Sequence, residues 1–102
     1  MLLEAKVQTA RVDNFFSGLE LIVLDRGVDK RPKYTCRLVR GWPGLDELRD
    51  LRKQNQPDTV LQQAAAQVPL PAEDQVLELV VLDVTGKGNY KTLVCEMAAP
   101  IA

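Results

Sequence analysis

The stretch Trp42-Pro43-Gly44-Leu45-Asp46-Glu47-Leu48-Arg49-Asp50-Leu51-Arg52-Lys53 is where the hydrophobic period changes from two to about 3.6 residues. Leu45, Leu48 and Leu51 stand three apart, Asp46 and Glu47 fall in the first turn, and Arg52 and Lys53 fall in the last. That charge placement complements the helix dipole at both ends. Pro57, preceded by Asn55 and Gln56, sits where a first-turn proline is tolerated and opens a second helix. Its apolar stripe is Val60, Leu61, Ala64, Ala65 and Val68, and Pro69 and Pro71 end it. A two-helix insert therefore divides two regions of alternating character.

Upstream, Leu3, Ala5, Val7 and Thr9 alternate with Glu4, Lys6 and Gln8, the pattern of a half-buried strand. Asp13, Asn14, Ser17 and Gly18 surround Phe15 and Phe16 in a turn-like loop. Leu19 to Leu24 reads as a second strand ending at Asp25. The polar turn from Arg26 to Pro32 leads into Lys33 to Arg40, with Tyr34, Cys36 and Leu38 on one face and Lys33, Thr35 and Arg37 on the other. These two strands predict a long hairpin with a basic tip. Downstream, Val76 to Val84, a turn at Gly86-Lys87-Gly88-Asn89, and Tyr90 to Met97 predict a second hairpin. The segments 19–25 and 77–83 match at six of seven positions, which supports two equivalent hairpins. One core is expected from Leu3, Val7, Leu21, Val23, Leu38, Leu79, Val81 and Leu93, since their parities agree.

The resulting order, β-β-β-α-α-β-β, makes residues 1–102 a single mostly-β domain. It resembles the small five-stranded Greek-key barrel of the oligonucleotide-binding (OB) type, whose helix stands between the third and fourth strands. The resemblance is one of element order over nearly the whole chain and brings no residue motif with it. The alternative is an open antiparallel α+β sandwich, with both helices on one face and an edge strand free for dimerisation.

Composition narrows the function classes. With 46% hydrophobic and 26% charged residues the chain is an ordinary globular one. No apolar run reaches the roughly 18 residues of a membrane helix, and Glu4 and Lys6 stand where a signal peptide carries its apolar stretch. No membrane association is expected, and the cytoplasm is the expected location. Histidine is absent, which removes the commonest general base and metal ligand. Cys36 and Cys95 lie 59 residues apart in apolar alternating runs, the setting of buried free thiols. Asp25 and Asp83 could serve as paired carboxylates, yet strand-terminal aspartates are usually turn residues. Gly86-Lys87-Gly88 lacks the glycine spacing and the following helix of a phosphate-binding loop. No catalytic residue, metal site or cofactor is expected, and the chain reads as a non-enzyme.

The formal net charge of −1 hides a dipole. From Arg26 to Lys53 nine basic residues stand against four acidic ones, whereas Gln54 to Gly86 holds five acidic residues and no basic one. Single-strand nucleic-acid binding needs cations for phosphates and aromatic faces for bases. The expected contact residues for single-stranded DNA or RNA are Lys30, Arg31, Lys33, Arg37 and Arg40 with Trp42, joined by Lys87, Tyr90 and Lys91 from the last hairpin. Parity turns Tyr34 inward. The alternative function is a protein-protein interaction module, a small subunit, inhibitor or adaptor, meeting a larger partner or a second copy through opposite charges.

Overall fold

The computed structural model describes residues 1–27, 29, 32–87 and 91–99. Its elements are β1 (Leu2–Val12), β2 (Leu19–Asp25), β3 (Lys33–Arg40), α1 (Leu45–Lys53), α2 (Asp58–Ala66), β4 (Val76–Thr85) and β5 (Thr92–Met97). The strands close into a barrel in the order β1-β2-β3-β5-β4, with β4 returning to β1. All pairings are antiparallel except that of β3 with β5. This is the five-stranded OB-like barrel expected from the element order. The open sandwich is excluded because Leu2 to Lys6 of β1 pair with Val80 to Val76 of β4. Closure takes up the hydrogen-bonding groups that a free edge would expose.

Five strands can close only by bending sharply, and three bulges supply the bends. They fall between Val7 and Thr9, between Leu38 and Arg40, and between Val81 and Asp83. The first one corrects the expected alternation. Gln8 is the extra residue, so Thr9 turns out to solvent and Ala10 and Val12 pack against the core instead. The irregularity is held by the chain ahead of β4: the Asp74 amide donates to the Val7 carbonyl at 2.7 Å, and the Val7 amide donates to Gln75 at 2.9 Å.

The core fills the barrel. Leu3, Val7, Leu21, Val23, Leu38, Leu79 and Leu93 are buried in it as expected, and Val81 packs against it partly buried. Cys36 and Cys95 are both free and fully buried on the neighbouring strands β3 and β5. Contact with Cys95, followed by burial, pushes the Cys36 thiol far above the usual cysteine range. It is a protonated packing residue, inert as a nucleophile. The two hairpins β2–β3 and β4–β5 lie side by side, and the repeated segment has the same parity in each: Leu19, Leu21 and Val23 point inward as do Leu77, Leu79 and Val81.

One end of the barrel is closed by Trp42, Leu45 and Val68. The Trp42 indole N–H donates to the Pro69 carbonyl, tying the start of the helical insert to its end. Trp42 is only 8% exposed, so the indole is a core side chain rather than a face on which a base can stack. Its position after the last residue of β3, where the chain must turn inward to cap the barrel, is the reason. Gly41 makes that turn at φ 85, and a Cβ there would lie 2.7 Å from Met97 Cβ. Pro57 is the N-cap of α2 rather than its first helical residue. No helix among the described residues is long and apolar enough to cross a membrane.

Candidate nucleic-acid interface

Strand pairing sets outward side chains in rows across the barrel. Arg11, Glu20, Arg37 and Val94 form one row, and Thr9, Ile22, Thr35 and Thr92 form the next. Lys33 follows, opposite Leu24. Within the first row Arg11 holds both carboxylate oxygens of Glu20, at 3.0 and 3.2 Å. Glu20 is thereby engaged from the β1 side. Arg37, on its other side, has no ion pair among the described residues, and its Nε–H is buried without a hydrogen-bond partner. A buried donor left unpaired costs roughly 1–3 kcal/mol. Arg37 lines a hollow of about 290 Å³ whose other walls include Asp13, Phe15, Glu20, Thr35 and Thr92.

The loop from Asp13 to Gly18 builds the aromatic edge of that hollow. Asp13 is buried, and its Oδ1 accepts from the amides of Phe15 at 3.0 Å and Ser17 at 2.8 Å. The Ser17 hydroxyl donates to Oδ2, and the Asp13 amide donates to Gly18 at 3.0 Å. An aspartate that gathers its own loop in this way leaves the backbone few alternatives. Gly18 lets the loop approach β3, since a Cβ there would sit 2.5 Å from the Leu38 carbonyl oxygen. Phe16 takes the left-handed backbone at φ 56 and folds back half-buried, while Phe15 stands 77% exposed. A phenylalanine on a braced loop has already lost backbone freedom that binding would otherwise have to remove.

The predicted contacts divide. Lys33 and Arg37 share the outer face of β3, as their parity requires. Lys87 and Lys91 are exposed, and the Thr85–Thr92–Thr35 register puts their hairpin at the Lys33 end of β3. Arg40 is at the opposite end, 3.9 Å from Glu96, with its side chain mostly in solvent. Trp42 is removed from the face by burial. Lys30, Arg31 and Tyr90 lie outside the described residues. Asp25 and Asp83 accept from the Gly27 and Val84 amides, both at 2.8 Å, as turn and bulge residues do.

Sequence reasoning put Phe15 and Phe16 beside a loop but left both out of the contact set. The signal that separates them is the Asp13-x-Phe15-x-Ser17 spacing, which suits an Asx-type brace that turns the intervening aromatic outward. Arg11 and Arg52 carried no such signal, because their placement follows from pairing and packing. Comparison of the chain with protein-family models, with curated proteins and with solved structures finds no match.

Proposed function

We propose that this protein binds single-stranded nucleic acid across the outer face of β2 and β3. The observation that carries the reading is the exposed, braced Phe15 beside a hollow in which Arg37 has no ion pair among the described residues. An aromatic face for a base next to a guanidinium for a phosphate is the minimal unit of sequence-tolerant single-strand binding. Lys33 continues the cationic line along β3, and Lys87 and Lys91 extend it toward the β4–β5 hairpin. The OB-type barrel presents its second and third strands, flanked by the β1–β2 and β4–β5 loops, to such ligands. With a net charge of −1, affinity must come from this local arrangement.

Fluorescence-anisotropy titration of labelled single-stranded DNA and RNA of about 20–30 nucleotides at low salt tests the proposal. Saturable binding at micromolar protein, weakened by salt, is expected. Its absence for both sugars sinks the idea.

A second reading, docking of a protein partner or a second copy, has one observation behind it. Leu2, 63% exposed, pairs with Val80 on the outer barrel surface beside the 80% exposed Met1. Sedimentation at rising concentration decides whether that patch makes a dimer.

A further inference from the structure

Resting on the single-strand reading, we infer that the hollow between the β1–β2 loop and the helical insert is a second subsite, which receives a base bearing an exocyclic amino group, cytosine, adenine or guanine, and disfavours thymine or uracil. This hollow measures about 410 Å³ and is lined by Phe15, Phe16, Arg52, Asn55, Gln56 and Asp58, among others. Phe15 is the side chain that it shares with the hollow containing Arg37. A strand that lies along β3 and stacks on Phe15 therefore reaches the second hollow with an adjacent base.

The lining is suited to a base rather than a phosphate. Asp58 is a carboxylate, and it would repel a phosphate while accepting from an amino group. Arg52 stands in the last turn of α1 and Asp58 in the first turn of α2, and Asn55, at φ 54 in the left-handed region, turns the chain between them. Neither Arg52 nor Asp58 has an ion pair or side-chain hydrogen bond among the described residues. Among the described residues the Gln56 side chain is engaged only by a 3.4 Å bond from its Nε2 to Gln54. A carboxylate and a guanidinium lining one hollow match an edge that carries an amino donor and an acceptor, the ring nitrogen in cytosine and adenine or O6 in guanine. Thymine and uracil would set a carbonyl where the amino group belongs. Phe15 and Phe16 supply the aromatic wall and buried Leu61 an apolar one.

The test is anisotropy with 12-nucleotide homopolymers, oligo-dC, oligo-dA and oligo-dT, alongside oligo-rC and oligo-rU, using the full chain and its Asp58→Asn and Arg52→Ala variants. Wild-type protein should prefer oligo-dC over oligo-dT by roughly five- to a hundred-fold, the scale of one good base-edge contact, and oligo-rC over oligo-rU likewise. Asp58→Asn should lower affinity for oligo-dC and raise it for oligo-dT, bringing the ratio toward one. Both positions are exposed, so circular dichroism should report folded variants, and Arg52→Ala serves should Asp58→Asn lower stability. Equal wild-type affinity for amino-bearing and carbonyl-bearing strands, or a ratio that neither variant alters, overturns the subsite and leaves single-strand binding standing. Loss of binding to every homopolymer overturns the function itself and the subsite with it.

Discussion

Asp13 and Phe15 divide one task between them. The carboxylate is buried and spends its oxygens on the loop, and the ring is released to solvent as a result. Removing the ring should therefore leave folding nearly untouched, because an exposed side chain without buried partners changes stability by only about 0.5 kcal/mol. Phe15→Ala is expected to keep its denaturation midpoint while losing about 1–3 kcal/mol of single-strand affinity, with the salt dependence unaltered. Paired urea melts and anisotropy titrations check this. A lost midpoint with retained affinity would make Phe15 a structural residue. Arg37 is the opposite case: its Nε–H is buried and has no hydrogen-bond partner among the described residues, so part of this side chain belongs to the packing.

The strands owe their inward faces to period-two alternation, and each bulge resets that alternation by one residue. Leu79 lies on the regular part of β4, is fully buried, and pairs with Leu3 on one side and Met97 on the other. Replacing it with Ala should cost on the order of 2–5 kcal/mol, read as a fall in the denaturation midpoint. The insert makes a different prediction. Trp42 is the only tryptophan, and it is buried under the hydrogen bond to Pro69. Its emission should be blue-shifted in the free protein and change little on addition of single-stranded DNA. Strong quenching at saturation would move the indole from the barrel plug into the interface.

Charge acts on the whole molecule. Basic residues cluster from Arg26 to Lys53 and acidic ones from Gln54 to Gly86, so a nearly neutral chain still carries two segments of opposite charge. If about three to five phosphates are contacted, the log of affinity should fall against log salt with a slope of roughly −2 to −3.5, at about −0.7 per single-strand contact. Lys33→Ala with Arg37→Ala should flatten the slope by roughly 1 to 1.5 and leave the fold intact. A slope that stays unchanged in the double variant would place the phosphate path elsewhere on the barrel.

The sequence by itself determined the elements. Alternation marked the strands, the three-residue spacing of Leu45, Leu48 and Leu51 marked α1, and prolines bounded α2, because these patterns arise from local backbone geometry. Element order was enough to reach the barrel, and parity was enough to set Lys33 and Arg37 outward and Cys36 and Leu38 inward. Only the tertiary structure decided that β4 returns to β1, that the bulge at Gln8 turns Thr9 outward, that Trp42 plugs the barrel, and that Phe15 borders two hollows. Each of these depends on contacts between residues far apart in the chain, such as Trp42 with Pro69 or Val7 with Asp74, whose geometry no local pattern encodes.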